Sequence, residues 1–406
     1  MGSATESHAA PQIKKFEAST GMNTASFVMI AIGILTVIVG LINNPDRMWT
    51  SYLTAFFYVA CLALGAFFFV TVNHLTKAGW SASIRRLAEG MSSYIPVMVV
   101  SSIVLLFGVK RLYPWADPEV VASNAMVAAK TSYLNVGFMA ARMLLFGVGA
   151  WIFSKLIIGH SLQQDKDGLD QHTHKNLGLS IAYILFFAIF FSLYSVDLLM
   201  SLLPTWYSTI FGIYTFAGSF QSALAFLILL IMYMRNKGFV QGYFWDDHMH
   251  DVGKFLKAFT VFWAYIAFCQ FMLIWYANIP EETEFFLMRS GNSGWMMVSM
   301  SLLIFKFIVP FIALLPRWAK RTEGWLASIC VLVLVMQYVD IYWLVYPNFA
   351  FGAEESQVVF GFYEVGLLVG FLGLFLMSLI KFFEKNNLVA IKDPRMHEAL
   401  HHHVTY

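Results

Sequence analysis

A chain of 406 residues that is 59% hydrophobic, 17% aromatic and only 12% charged has too much apolar surface for a soluble protein of its size. Its formal net charge of +2 and its scattered basic residues provide no footprint for nucleic acid, so no nucleic-acid partner is expected. The composition predicts an all-α polytopic membrane protein that is surrounded by the lipid bilayer.

The predicted membrane helices follow a polar N-terminal segment. Ten apolar runs, each of about 20 residues or more, are long enough to cross a bilayer. They cover residues 23–42, 50–73, 92–112, 133–158, 178–203, 207–235, 253–277, 294–316, 325–346 and 358–383. Pro96 and Pro310 lie inside these runs and predict kinks. Because the number of spans is even, both termini are expected on the same side.

The distribution of Lys and Arg predicts which side this is. The termini and the even-numbered connections hold nineteen of these residues, whereas the odd-numbered connections hold five, namely Arg47, Lys110, Arg111, Lys130 and Arg289. Because cytoplasmic segments carry the excess of positive charge, both termini are predicted to lie in the cytoplasm.

Five charged residues fall inside the predicted spans: Arg142, Asp197, Lys306, Asp340 and Glu364. A single unpaired charge at the bilayer centre opposes insertion by roughly 2.5–3.5 kcal/mol, so we expect these groups to be paired or hydrated. The predicted topology places all five between the membrane centre and the outer surface.

Asp197 and Asp340 occur in similar surroundings, SVDLLMSLLP and YVDIYWLVYP, each seven positions before a proline. In each half of the chain a basic residue lies on the preceding span. This echo predicts two four-helix bundles related by a parallel internal repeat, plus two flanking helices. The predicted organisation is a cytoplasmic tail (1–22), a flanking helix (23–49), the first bundle (50–204), the second bundle (205–347), a flanking helix (348–385) and a cytoplasmic tail (386–406).

The charges inside the spans have two interpretations. Buried ion pairs would fix the register of the helices without any further role. Alternatively, carboxylates in a low dielectric pass protons, and two half-paths would then form, one from Arg142 and Asp197 and the other from Lys306, Asp340 and Glu364. These half-paths reach only the outer half of the membrane, and the sequence identifies no residues for the cytoplasmic half.

Cysteine and histidine residues argue against a redox centre in this chain. Cys61, Cys269 and Cys330 are far apart and have no CxxC or CxxCH spacing, and none of the eleven histidines is central in a span. No catalytic residue and no metal, haem or iron–sulfur ligand is therefore assigned.

Two stretches carry a family resemblance. Residues 195–220, SVDLLMSLLPTWYSTIFGIYTFAGSF, and 262–283, FWAYIAFCQFMLIWYANIPEET, resemble the NrfD/PsrC-type integral membrane subunits of alternative complex III, a bacterial quinol:cytochrome c oxidoreductase. The number of spans and the two-bundle repeat extend the resemblance over the whole chain. It is greatest for the second of the two such subunits in that complex.

The resemblance implies a multi-pass subunit of the bacterial inner membrane and a set of partners. These are a sister NrfD-like membrane subunit, an iron–sulfur protein, multihaem and monohaem cytochromes c, small membrane subunits and, in some assemblies, a terminal oxidase. Haem c and iron–sulfur clusters would then belong to the partner subunits, and this chain would bind no cofactor of its own.

The resemblance also implies a position for a quinone site. In the sister subunit the quinol site uses an aspartate together with a histidine that follows a tryptophan. The matching residues here are Asp197, Trp206 and Tyr207. The tyrosine departs from that pattern, and it weakens the case for quinol oxidation by this chain because a phenol is a poorer proton acceptor than imidazole.

The functional prediction is a subunit of this oxidoreductase that has no redox centre, supports quinol oxidation by its partners and conducts protons. Three alternatives remain open. In the first, the chain itself binds menaquinone near Asp197, Trp206 and Tyr207. In the second it is a structural scaffold, and in the third it is an independent secondary transporter. The transporter fits least well, because the spans that hold Asp197 and Asp340 have no mid-helix Gly/Pro break of the kind that builds substrate sites.

Overall fold

The computed structural model describes residues 12–353 and 356–402, and ten of the helices there are long and apolar enough to cross a membrane. They are α1 (Thr20–Asn43), α2 (Pro45–Leu75), α3 (Arg85–Leu112), α4 (Val136–Asp167), α5 (Gln171–Leu202), α6 (Phe211–Asn236), α7 (Asp246–Ala277), α8 (Ser293–Ala313), α9 (Glu323–Asn348) and α10 (Phe362–Lys385). The prediction of an all-α membrane protein with about ten spans is confirmed. Residues 1–11 and 403–406 of the predicted tails lie outside the described residues.

Shorter elements lie before α1, between the membrane helices and after α10. Strand β1 (Gln12–Ile13) pairs antiparallel with β2 (Val240–Gln241). The short helical segments are Gly79–Ser81, Pro114–Ala116, Pro118–Ser123, Ala125–Ala128, Pro280–Ser290, Trp318–Lys320 and Met396–Leu400. The longest of these, Pro280–Ser290, joins α7 to α8 and is called the connecting helix below.

The two helices with a predicted kink, at Pro96 and Pro310, are both interrupted near the proline. In α3 the helical segment Arg85–Ser92 ends before a second segment, Ile95–Leu105, begins, and Pro96 lies in the first turn of the second segment. A proline is tolerated there because the N–H groups of a first turn have no partner within the helix. The interruption in α8, beside Pro310, shapes the candidate site and is described with it.

The membrane helices contact one another in two closed rings. In the first ring α2 packs on α3, α3 on α4, α4 on α5 and α5 on α2; in the second, α6 packs on α7, α7 on α8, α8 on α9 and α9 on α6. The rings meet mainly where α2 packs on α6, while α1 pairs with α10, which packs on α2. These neighbours agree with the predicted grouping. The domain boundaries and the internal repeat remain predictions.

The contact between α2 and α6 forms the centre of the molecule. The most apolar stretches of these two helices are 89% and 83% buried, whereas that of α8 is only 17% buried, so α8 lies at the periphery. Gly65 allows the close approach, because a Cβ at that position would lie 2.7 Å from the Cβ of Ala223 and from the carbonyl oxygen of Ser219. Small residues at such contacts are typical of membrane helices, which gain no hydrophobic stabilisation from pairing in lipid.

The described parts of both termini lie at the same end of the rings, called the termini face below. Strand β1 pairs with the connection between α6 and α7, and the segment after α10 returns to α7, where His402 Nε2 lies 2.6 Å from Asp251 Oδ2. The end that holds the odd-numbered connections is called the opposite face. That the termini face is cytoplasmic remains a prediction from the Lys and Arg distribution.

Candidate functional site

A buried ion pair joins α8 to α9 in the second ring. Lys306 Nζ contacts Asp340 Oδ2 and donates to Gln337 Oε1 at 2.6 Å. Lys306 is 0% exposed, and Asp340 and Gln337 are each 2% exposed. The expectation that these two charges are paired is therefore confirmed.

Two aromatic side chains from α6 and α7 complete the surroundings of Asp340. The Tyr214 hydroxyl donates to Oδ1, and Trp263 Nε1 donates to Oδ2 at 3.2 Å. Lys306 Nζ also lies 4.4 Å from the centroid of the Trp263 ring, within cation–π distance. These five residues, called the Asp340 cluster below, solvate both charges with protein groups in place of water, as a buried ion pair requires.

The backbone of α8 has an irregular turn at the lysine. Residues Leu302–Ile308 form a π-helical stretch, in which the Val309 N–H donates to the Ile304 carbonyl five residues back. Pro310 has no N–H to donate to the carbonyl of Lys306, four residues earlier, so a regular α-helical turn cannot be completed here. The widened turn holds Lys306 where its ammonium group reaches α9.

Gly218 on α6 provides space for the amide of the cluster. A Cβ at this position would lie 2.6 Å from Gln337 Oε1, the oxygen that accepts from Lys306. Any larger side chain at position 218 would displace the amide, so α6 provides space for the cluster as well as the Tyr214 hydroxyl.

The corresponding pair of the first ring is Arg142 with Asp197, and it too is confirmed as buried. Arg142 donates through Nε and Nη2 to the two oxygens of Asp197 at 2.8 and 2.7 Å, a bidentate geometry. Its guanidinium group lies 3.8 Å from the ring centroid of Tyr133 and 4.1 Å from that of Phe138. Burial, with a further contribution from the charge of Asp197, raises the pKa of Tyr133 to about 12, so its phenol stays protonated at neutral pH.

Glu364 lies apart from the group in which the sequence placed it. Its carboxylate accepts from Arg47 Nε and Nη2, both at 2.8 Å, and from the hydroxyl of Tyr346 at 2.7 Å. Arg47, assigned from the sequence to the first odd-numbered connection, is the third residue of α2. The physical reason is packing: α10 lies against α1 and α2, so Glu364 meets α2, while Lys306 and Asp340 pair with each other.

The three residues proposed from the sequence for a quinone site point to different elements. Asp197 is 1% exposed and bonded to Arg142. Trp206 is buried, stacks on Phe285 of the connecting helix with a centroid distance of 4.1 Å, and donates to a carbonyl of that helix. Tyr207 is 60% exposed. Asp197 and Trp206 therefore bond to different elements, and the quinone site at these three residues stays a prediction.

A second polar network, which sequence reasoning missed, lies toward the termini face of the first ring. Glu89 accepts from Arg86 Nη1 at 2.8 Å and from Ser161 Oγ at 2.7 Å, and Arg86 Nη2 donates to Asp165 at 2.7 Å. Arg85 beside it pairs with Asp393. The apolar run of the third span begins only at residue 92, so these charges were assigned to a solvated connection. The spacing of Arg86 and Glu89, three residues apart, was a signal of pairing on a helix.

Buried hydroxyl groups lie close to Asp197 and further along α5. The hydroxyls of Ser102 and Tyr194 are 3.2 Å apart, and Thr215 donates to Ser195 at 2.8 Å. Within the described part of the chain, the hydroxyl of Tyr183 has no hydrogen-bond partner. The first ring thus holds polar groups at both ends, and the Tyr183 hydroxyl lies between them on α5.

Buried carboxylate, ammonium and hydroxyl groups at hydrogen-bond distance can exchange protons with one another. Among residues 12–353 and 356–402, no three or more His, Cys, Asp or Glu side chains are grouped so that they could hold a metal ion. The chemistry of the site is that of buried acid–base groups.

No model of a known protein family matches the chain, and a search of curated proteins finds no significant match.

Proposed function

We propose that this chain is an integral membrane subunit of a quinol:cytochrome c oxidoreductase of the alternative complex III type, in which its buried ion pairs conduct protons. The observation that supports proton conduction best is the Asp340 cluster, where a carboxylate and an ammonium group are buried together and every partner is a side chain. Ion pairs this deep in a membrane protein are costly and commonly mark proton or ion paths.

The cluster can accept a proton without leaving a charge unsolvated. A proton that reaches Asp340 neutralises the carboxylate and weakens its hold on Lys306. The ammonium group then still has the Gln337 oxygen and the face of Trp263. Because the charge of Lys306 then lacks its counter-charge, onward loss of the proton from Asp340 is favoured, so the cluster has two charge states that differ by one proton.

The Arg142–Asp197 pair would perform the same step in the first ring. Below it, the Tyr183 hydroxyl and the Glu89 network provide polar groups toward the termini face, the half of the membrane for which the sequence identified none. Moving one proton against 100 mV costs about 2.3 kcal/mol. In this proposal the redox reaction of the partner subunits supplies that free energy.

The assignment to a quinol-oxidising complex rests on the resemblance of residues 195–220 and 262–283. It places the chain in the bacterial inner membrane beside a sister NrfD-like subunit, an iron–sulfur protein, cytochromes c and small membrane subunits. Electrons would pass through those partners, whose reaction would drive the protons. Co-purification of the chain with haem proteins would support this assignment. Isolation as a free-standing chain with transport activity would contradict it.

The test of proton conduction is the ratio of protons released to electrons transferred by the assembly in liposomes. For Asp340→Asn we expect electron transfer to persist and the ratio to fall, because the amide cannot carry a proton. Because Lys306 without its counter-charge opposes assembly, the double variant Lys306→Gln/Asp340→Asn is measured as well. Asp46→Asn, at an exposed ion pair with Arg111, is the matched control and should leave the ratio unchanged.

An unchanged ratio in fully assembled Asp340→Asn and in the double variant would contradict proton conduction through the second ring. A scaffold role for the pair would then be the better account, because a buried ion pair can fix the register of two helices without carrying protons.

A further inference from the structure

A shallow groove follows the outer surface of α4 near the termini face. Its volume is about 440 Å³, and it is lined by Ile152, Lys155, Leu156, Gly159 and His160. The spacing of these residues places them on one side of the helix over a length of about 12 Å. A Cβ at Gly159 would meet nothing within 4 Å, so the missing side chain leaves this space open.

The groove combines apolar side chains with positive charge. Ile152 and Leu156 are 52% and 44% exposed on a helix that is apolar enough to cross the membrane, so they are placed to meet lipid chains. Lys155 is exposed and forms no ion pair with the residues that the structure describes. Lys175, near the start of α5, adds a second positive charge that acts on His160. A lysine near the end of a membrane span can extend its ammonium group to the phosphate layer of the bilayer.

Three linked side chains determine what His160 offers to a ligand. His172 Nε2 donates to Asp167 Oδ2 at 2.9 Å, because a carboxylate can only accept. In a neutral ring His172 Nδ1 is then an acceptor, and it lies 3.2 Å from His160 Nδ1. This network assigns the proton of His160 to Nδ1 and leaves its Nε2 as an acceptor. The groove thus offers a hydrogen-bond acceptor as well as the ammonium group of Lys155.

The charges around the groove favour an anionic headgroup. Lys155 and Lys175 would repel the cationic group of a zwitterionic lipid. Asp167 does not compensate for this, since it already accepts from His172 and from a backbone N–H. A phosphate beside Lys155 and a hydroxyl group that donates to His160 would satisfy both side chains of the groove.

We propose that this groove binds a phospholipid of the phosphatidylglycerol class, with its phosphate at Lys155, a glycerol hydroxyl donating to His160 Nε2 and an acyl chain along Ile152 and Leu156. The groove belongs to the first ring and shares no residue with the Asp340 cluster. Its occupancy is therefore independent of proton conduction and of the assignment to a quinol-oxidising complex.

The test is photo-crosslinking of the purified assembly in phosphatidylcholine nanodiscs that contain a trace of a diazirine-bearing phosphatidylglycerol, followed by peptide mapping. We expect crosslinks to α4 within residues 152–160. Lys155→Gln should lower their yield by roughly fivefold, the effect of one lysine at an anionic membrane surface. Lys381→Gln, at an exposed lysine near the same end of α10, is the matched control and should crosslink like the wild type.

Two further variants distinguish the groove from a general attraction to positive charge. Gly159→Leu fills the groove and should abolish the crosslinks, and it can fold because a Cβ at this position meets nothing within 4 Å. His160→Phe keeps an aromatic ring but loses the acceptor, so the yield should fall by about two- to tenfold.

An absence of crosslinks to α4, or equal yields in the wild type, Lys155→Gln and Gly159→Leu, would overturn the proposal. So would equal crosslinking by matched phosphatidylcholine or phosphatidylethanolamine probes, or displacement of the probe by inorganic phosphate alone. A partner helix that crosslinks to Ile152→Cys and covers the groove would overturn it as well. Crosslinking that is selective for phosphatidylglycerol and is lost in Gly159→Leu would support it.

Discussion

Asp340 shows how single residues make a buried charge tolerable in this protein. Its two oxygens accept from Tyr214, Trp263 and Lys306, which come from three different helices. Together these bonds offset the desolvation cost of the pair, and removal of either charged residue leaves the other buried without a counter-charge. The stability of the second ring is therefore expected to depend on the pair as a unit.

The first prediction concerns the removal of one charge of the pair. Asp340→Asn leaves Lys306 buried without a counter-charge and should lower the free energy of unfolding by about 3–5 kcal/mol. Lys306→Gln/Asp340→Asn removes both charges and should recover most of that loss. Unfolding in detergent micelles measures both variants, with Asp46→Asn at the exposed pair as a control that changes stability by less than about 1 kcal/mol. Equal losses in the single and double variants would contradict the coupling.

The second prediction concerns the shape of a cation. Arg142→Lys keeps the positive charge but loses the bidentate contact with Asp197 and the stacking on Tyr133 and Phe138. We expect a loss of about 1–3 kcal/mol in the free energy of unfolding, because lysine cannot reproduce this planar geometry. Arg111→Lys, at an exposed pair, is the control. Wild-type stability for Arg142→Lys would show that charge alone holds Asp197.

At the scale of elements, close helix contacts set where each charged residue can point. The pairing of α1 with α10 is an example, since a Cβ at Gly33 would lie 2.6 Å from the Cα of Gly370. This contact holds α10 against α1 and α2, and that position brings Glu364 to Arg47. Flanking helices thus contribute to the charge pattern as well as to packing.

The third prediction is that Gly33→Ala separates α1 from α10. The added methyl group cannot be accommodated against backbone atoms, so the free energy of unfolding should fall by about 1–3 kcal/mol and amide exchange in α1 should become faster. Gly159→Ala is the matched control, because a Cβ there meets nothing within 4 Å, and it should be neutral or slightly stabilising. Similar behaviour of the two variants would contradict the close α1–α10 contact.

The elements were easier to predict than the site, for physical reasons. Apolar runs of membrane length identify spans because lipid imposes that length, so all ten were found. The echo around Asp197 and Asp340 likewise identified the two pairs. Tyr214 and Trp263 could not be singled out, because a chain with 18 tyrosines and 12 tryptophans gives no local sign of which ring meets a carboxylate. Arg47 was missed as the partner of Glu364 because their proximity depends on the packing of α10.

At the scale of the whole molecule, the segment after α10 links the ends of several helices at the termini face. Asp393 pairs with Arg85 on α3, Lys392 donates to a carbonyl of α4 at 2.6 Å, and His402 lies beside Asp251 on α7. This segment therefore contacts both rings. The sequence predicted only a tail here, since nothing in its composition indicated a docked segment.

The fourth prediction is that docking of this segment is lost in acid. Burial raises the pKa of Asp393, but the charge of Arg85 and the N–H of Arg395 more than offset it, so the pKa lies below its usual range. A carboxyl with a depressed pKa stabilises the folded state fully above its unfolded pKa of about 3.9, and this contribution is lost as the pH falls through the lower folded value. Hydrogen exchange of residues 387–400, corrected for intrinsic rates, should therefore accelerate below pH ~4.

The control for this pH dependence is Asp393→Asn, in which exchange of the segment should be fast and nearly independent of pH. Equal protection of the wild-type segment at pH ~7 and pH ~3 would contradict the role assigned to the Asp393–Arg85 pair.

The measurement that tests the central proposal most directly is the infrared difference spectrum of the assembled complex between its oxidised and reduced states. A proton carrier must change its protonation, whereas a pair that only fixes helix register keeps its charges. Proton conduction through the second ring predicts a carboxylic-acid carbonyl band that shifts in deuterium oxide, disappears in Asp340→Asn and persists in Asp46→Asn. An identical carboxyl region in wild type and in an assembled, electron-transferring Asp340→Asn complex would contradict it.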